Sequence, residues 1–325
     1  VEIIDVHAHF VSGGLAERLD GRSRPCPNVG ARRLADGRIS FTFPGLPPTR
    51  PMPDALTDTQ RAMGWLDQAG IDRHIVSIWS DLFGYSLSPE EGAAWSRLVN
   101  EETMRAISGL DRIAVLATVP IQSGRHAVQE LQAAKELGCC GVTVGTGAPG
   151  RELDDKDLEV FWEAAGALRM PVFIHPLYLY GERRLESYGL ANAVGRLNDT
   201  TVAVSRLLFA GVPVRHPDLA VIVAHGGGGV PYALGRLKRN HALAAKDLAD
   251  PVAGFQRLHF DTVVFEPAAL RYLLTVAGAD HIMLGSDYPF PIQDPQPLRI
   301  VREAAPDDAA AEAILGGNAR RVFAL

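Results

Sequence analysis

The chain has 325 residues, of which 47% are apolar and 22% charged, with a formal net charge of -6. That length suits one large core such as an α/β barrel, or two smaller domains, and the acidic balance argues against a nucleic-acid or anionic-membrane surface as partner. No run approaches the roughly 18 apolar residues of a membrane helix, and no signal peptide is expected at the start. Three cysteines, with Cys139 and Cys140 adjacent and Cys26 distant, do not make a disulfide framework, so a reducing, cytoplasmic setting is expected.

The first element is Ile3-Ile4-Asp5-Val6-His7-Ala8-His9, an apolar run that reads as a strand. Residues i and i+2 leave the same face of a strand, so His7 and His9 project together from its C-terminal end. Two imidazoles so placed can share a metal ion, although a surface strand with two histidines explains the motif as simply. Residues 10–53 lose periodicity and carry Gly13-Gly14 and several prolines. They read as an insertion near the mouth of the fold, with a small hairpin around Ile39–Phe43, and insertions of that length are usually functional.

A regular rhythm then begins. The pattern predicts a helix over Thr57–Gly70, closed by its glycine, and a strand over Arg73–Trp79. A helix over Pro89–Ser108, a strand over Ile113–Val119 and a helix over Arg125–Leu137 follow. Next come a strand at Gly141–Val144, a helix at Asp155–Leu168, a strand at Pro171–His175, a helix near Thr200–Ala210 and a strand at Ala220–His225. A helix from about Val230, a strand at His259–Val263, a helix at Pro267–Ala277, a strand at His281–Leu284 and a helical tail after Pro295 complete the chain. Near-continuous apolar runs such as Val221-Ile222-Val223-Ala224 are those of buried parallel strands. Eight βα units close most simply into a single (β/α)₈ TIM barrel over 1–325, with its site at the C-terminal strand ends. The alternative, a doubly wound open sheet, lacks a Gly-x-Gly-x-x-Gly after the first strand.

On a barrel, the strand ends bring together His7, His9, His175, His225 and Asp287. Singly, each has a plain explanation as a core histidine or a turn cap. All five at one rim point to a metal site. Imidazole and carboxylate suit a borderline ion such as zinc, and three or four ligands leave room for a water whose pKa falls towards about 7. One side chain is then free for acid/base work, and His225 is the choice, because Gly226–Gly229 after it permit close approach. That glycine run is not a phosphate cradle, since no Gly-Lys-Ser/Thr follows. Strand 4 offers no lysine, aspartate or glutamate to bridge two ions, so one metal is expected.

Several runs carry a resemblance: Asp5-Val6-His7-Ala8-His9-Phe10, Phe83-Gly84-Tyr85, Val119-Pro120, Ile174-His175-Pro176, His225-Gly226-Gly227-Gly228, Met283 through Pro291 and Gly317-Asn318-Ala319. With them the chain resembles the amidohydrolase superfamily over nearly its whole length, and within it the non-oxidative decarboxylases of the aminocarboxymuconate semialdehyde type. The resemblance implies zinc held by His7, His9, His175 and Asp287, with His225 as the acid/base beside the catalytic Asp287. It implies that Arg50 grips a substrate carboxylate and that Arg236 reaches the neighbouring subunit's site, making a homodimer the working unit. Phe290 and Asn192 are the other expected substrate contacts.

Asn192 stands where the family has a tryptophan, and Leu177-Tyr178-Leu179-Tyr180 also departs from its pattern. The expected reaction is therefore decarboxylation of an unsaturated or aromatic carboxylate, foremost 2-amino-3-carboxymuconate 6-semialdehyde. The same ligands would serve a hydrolase or hydratase of a lactone, amide or conjugated acid, and a non-catalytic metal-binding barrel is a third reading. His74, His126, His216, His241, His259 and His281 read as structural or solvated, and Trp79 as a strand-end residue within reach of the pocket.

Overall fold

The computed structural model describes residues 1–19, 25–177, 182–244 and 247–325. Among these residues eight parallel strands form one sheet in chain order: β1 (Ile4–His9), β2 (Arg73–Ser77), β3 (Ile113–Thr118), β4 (Gly141–Gly145), β5 (Val172–His175), β6 (Val221–Val223), β7 (Leu258–Asp261) and β8 (Ile282–Met283). The first and last strands meet. The Val6 N–H donates to the Leu284 carbonyl at 2.9 Å, the His9 N–H to Tyr288 at 2.7 Å, and Ala8 bridges Tyr288 in parallel. Helices α1 (Thr59–Ala69), α2 (Pro89–Ala106), α3 (Gly124–Glu136), α4 (Glu159–Leu168), α5 (Arg196–Ala210), α6 (Val230–Ala244), α7 (Pro267–Ala277) and α8 (Pro297–Ala304) return the chain between strands and after β8. This is the expected (β/α)₈ barrel.

The helices begin and end where local chemistry requires. Asp58 and Ser88 accept the Arg61 and Glu91 N–H groups at the first turns of α1 and α2, satisfying donors that the helix itself cannot. Gly70 closes α1 at φ 69°, a left-handed cap that glycine adopts without penalty. Helix α5 begins four residues before the expected Thr200, and a π-turn over Ala191–Gly195 leads into it.

Between β1 and β2 the chain forms a short helix, Leu15–Leu19, and an antiparallel pair, Gly30–Arg33 with Ile39–Thr42. Phe41 and Phe43 of this segment pack on Trp95 of α2, which seats it on the barrel rather than leaving it loose.

Two packing layers follow from strand alternation. Ile4, Val6, Ile75, Leu116, Phe173, Ile222, Ala224 and Met283 fill the barrel interior, closed below by Ala319 and Phe323. Their neighbours Ala8, Val76, Val115, Val142, Val172, Ile174, Val221, Val223 and Ile282 join the outer layer under the helices. Each fully buried large side chain contributes about 1.5–3 kcal/mol. The register of β1 against β2 shifts between Asp5 and Ala8, and such a bulge re-aims side chains next to a site. Ile4 and Val6 fill the interior below it, while His7 and His9 face the mouth above.

Candidate active site

The five strand-end residues converge. The ring centroids of His7 and His9 lie 5.3 Å apart, His9 and His175 5.0 Å, His7 and His225 5.0 Å, and His175 and His225 5.4 Å. Asp287 sits among them, with Oδ1 3.5 Å from His7 Nε2 and 3.2 Å from His9 Nε2, and Oδ2 3.7 Å from His225 Nε2. Ligand atoms of His7, His175, His225 and Asp287 all lie within 4.8 Å of one another. His9 enters this group through Asp287.

The outer faces of the rings decide what the inner faces can do. His7 Nδ1 lies 2.6 Å from Asp261 Oδ2, and His9 Nδ1 faces the Ile78 carbonyl and the Ser77 hydroxyl at 3.3 and 3.1 Å. A nitrogen that donates outward leaves its partner as a lone pair pointing inward. Both Nε2 atoms are buried without a hydrogen-bond partner among the described residues. Two lone pairs and a carboxylate face one another with no proton donor between them, which suits a cation. The residues present therefore fit a divalent metal ion.

Asp261, at the end of β7, carries no motif in the sequence that marks it for this site. Its carboxylate takes His7 Nδ1 and the His225 N–H (3.0 Å) on one oxygen, and the Gly226 and Val263 N–H groups (2.9 and 3.1 Å) on the other. Burial alone would raise its pKa, but the His7 contact, the nearby imidazoles and the Gly226 N–H together hold it below the ordinary carboxylate value. Asp287 behaves alike: burial pushes it up, and His225, His7 and His9 together draw it well below. For His7, burial pushes down, and Asp261, Asp287 and Asp5 bring the net shift upward. Asp5 accepts the His7 and Ser286 N–H groups at 2.9 and 3.1 Å and the Ser286 hydroxyl, and complete burial pushes it up to about 7.

Backbone conformation aims two of these groups. His225 and Asp287 have φ of 56° and 62°, a left-handed conformation that costs a non-glycine residue on the order of 1–3 kcal/mol. His225 lies beyond the end of β6, where the chain turns sharply through Gly226. A Cβ on Gly226 would come 2.4 Å from Val264 Cγ1, and one on Gly228 2.7 Å from the Leu197 carbonyl oxygen. These glycines serve close backbone packing under the site.

Above the cluster opens a cavity of about 480 Å³, lined by His175, His225 and Asp287 together with Arg50, Trp79, Ser80, Leu177, Ala191, Asn192, Arg196, Phe290, Pro291 and Ile292. Arg50, Asn192 and Phe290, the expected substrate contacts, are among these lining residues, and Trp79 forms part of the wall. Phe290 packs 5.0 Å from the His9 ring. Arg50 is bound to Asp81 through Nε and Nη2, both at 3.2 Å, and its guanidinium lies 5.3 Å from the Trp79 ring centre. Arg236 is exposed on α6 and does not line the cavity of its own chain. Arg196 does line it and was missed. It stands four residues after Asn192, one helical turn on, and that spacing is the only signal it leaves in the sequence. Tyr178, Leu179 and Tyr180 lie outside the described residues.

The remaining histidines lie away from this mouth. His74 is buried against Trp65 and Tyr288, and the His259 and His281 rings lie 5.0 Å apart, tilted by 35°, beside the arginines at the opposite barrel end. Among the described residues no helix is long and apolar enough to cross a membrane.

A family model described as Amidohydrolase matches residues 86–325. The 2-amino-3-carboxymuconate-6-semialdehyde decarboxylase of Dictyostelium discoideum is 30% identical over 80% of this chain and 75% of its own. The gamma-resorcylate decarboxylase of Polaromonas sp. is 27% identical over 83% of this chain and 89% of its own. A solved dihydroxybenzoic acid decarboxylase from Polaromonas sp. JS666, with bound manganese and the inhibitor 2-nitroresorcinol, has a TM-score of 0.79 at 21% identity, covering 100% of this chain and 97% of that one.

Proposed function

We propose that this chain, which belongs to the amidohydrolase family, is a metal-dependent, non-oxidative decarboxylase of an unsaturated or aromatic carboxylate. The observation that carries the reading is the pair of inward-facing, unpartnered Nε2 atoms of His7 and His9 opposite Asp287, at the floor of a cavity walled by Trp79 and Phe290. The related decarboxylases at 27–30% identity support the reaction class.

His7, His9, His175 and Asp287 would hold the ion, with zinc the first candidate and manganese the second, the latter being bound in the Polaromonas structure. When bound, such an ion supplies Lewis acidity to an oxygen of the substrate or to water. His225 is the general acid. Its imidazole reaches the cavity beside Asp287, where it gives a proton to the substrate carbon that carries the departing carboxylate. As the bond to the carboxylate carbon breaks, its electron pair stays with the π system, the new C–H bond keeps the proton, and CO₂ leaves. Asp287 steadies the imidazolium that forms when His225 is recharged from solvent. Trp79 and Phe290 give flat apolar walls for a planar substrate, and Arg50, paired with Asp81 and largely exposed, adds positive charge that draws an anionic substrate to the cavity. Arg236 is exposed on α6, and we extend the proposal to a homodimer in which it reaches the partner's site, working in the cytoplasm.

The test uses zinc- and manganese-loaded protein with enzymatically generated 2-amino-3-carboxymuconate 6-semialdehyde and, separately, 2,6-dihydroxybenzoate. Absorbance and released CO₂ are followed together. Stoichiometric CO₂ from either supports the reading. Substrate loss without CO₂ points to hydration or hydrolysis, and no turnover of either by metal-loaded protein counts against decarboxylation.

A further inference from the structure

Among the described residues two arginines, Arg50 and Arg196, line the cavity, and they are not equivalent. Arg50 already has a carboxylate, bound twice by Asp81, and its side chain is 65% exposed. Arg196 has none. On the first turn of α5, its Nη1 donates to the Pro176 carbonyl at 2.9 Å and faces the Ser80 hydroxyl at 3.5 Å. Both partners are uncharged, and among the described residues Arg196 forms no ion pair. Its Nε and Nη2 donors have no acceptor there.

Burial draws the Arg196 pKa down from its usual value; the more distant carboxylates of Asp81 and Asp287 pull the other way. A guanidinium kept in a partly dry cavity without a counter-charge is costly, and the cost falls when an anion arrives. Nη1 is tethered, so the free Nε–Nη2 edge is a fixed fork, the geometry that matches a carboxylate with two parallel hydrogen bonds. Arg196 shares this cavity with His225 and Asp287, and Trp79 and Phe290 wall it.

We propose that Arg196 is the specificity-determining anion anchor of this site, selecting planar carboxylates that carry a second acidic group. The reacting carboxylate lies towards His225 and Asp287, and the second is gripped by the Arg196 fork. The proposal rests on the decarboxylase reading only for which carboxylate is lost; the binding preference stands apart from it.

The experiment therefore reads binding, with two probes that share one ring. Isothermal titration of metal-loaded protein with benzoate and with isophthalate compares one carboxylate with two. Wild type is expected to favour isophthalate by about 10- to 100-fold, the range for a charge-assisted hydrogen-bonded pair. Arg196→Met, which keeps much of the apolar stem but not the charge, should reduce that preference to within about twofold. Arg196→Lys, which keeps charge but not the fork, should retain an intermediate preference. Circular dichroism and melting check that each variant is folded, and the lysine variant carries the test if the methionine one is not. No preference in wild type overturns the assignment. So does a preference that survives in Arg196→Met, with loss in Arg50→Met placing the anchor there instead, or one undiminished in Arg196→Lys. If the preference holds but no CO₂ is released from any diacid, the anchor stands and decarboxylation alone fails.

Discussion

The replacement Asp261→Asn probes how the metal ligands are prepared. The Asp261 carboxylate accepts four hydrogen bonds, from His7 Nδ1 and the N–H groups of His225, Gly226 and Val263. An amide has one accepting oxygen. In either orientation its NH₂ faces two donors, so at least two of the four bonds are lost. If the amide nitrogen faces His7, that ring relieves the conflict by moving its proton to Nε2, which removes the inward lone pair. Loss of such an outer partner lowers metal affinity by about 10- to 100-fold, or roughly 1.4–2.8 kcal/mol. The assay is competition for zinc against a calibrated fluorescent chelator, wild type beside variant, with melting curves to establish folding. A folded Asp261→Asn protein whose zinc Kd stays within twofold of wild type would refute the reasoning that Asp261 sets the His7 tautomer.

Other expectations follow from the same geometry. His225→Ala should abolish turnover while bound metal, measured by elemental analysis, stays near one per chain; loss of the metal would instead make His225 a ligand, as its place within 4.8 Å of the others permits. Chelation should abolish turnover and lower the melting temperature, and zinc or manganese at 100 times its Kd should restore about 2.7 kcal/mol of stability; a melting temperature indifferent to metal would count against the site. Phe173→Ala, in the barrel interior with no exposed surface, should cost about 3–5 kcal/mol, read as the shift of the denaturation midpoint. Burial, with His281 and Arg321 adding to it, lowers the His259 pKa to about 3. Above pH 6.5 neither the folded nor the unfolded state carries this proton, and below it only the unfolded chain does. Stability should therefore fall on acidification from about pH 6.5 towards 3, by up to roughly 1.4 kcal/mol per pH unit from this group, and His259→Asn should flatten the curve measured by denaturant titration at pH 6 and 4.

Much was legible in the chain before folding. Strands β4, β5 and β6 are short apolar runs because both faces of a parallel barrel strand are buried, and that burial leaves a mark in composition. His7 and His9 share a face because strand geometry repeats every two residues, and His175 and Asp287 are placed by the barrel's rule that loops follow strand ends. Boundaries were less legible: α5 starts at Arg196 rather than near Thr200 because a π-turn, which leaves no signature in composition, leads directly into it.

The periodic elements and the residue types at their ends follow from local sequence, since these depend on neighbours a few positions away. The long-range contacts are another matter: that Asp261 orients His7, that Asp81 pairs with Arg50, and that Arg196 lines the cavity tethered through Nη1 alone follow from barrel closure. Those facts join residues 254, 31 and 20 positions apart, and a side chain's hydrogen-bonding state at such separations depends on which acceptors the closed barrel brings within 3 Å or so.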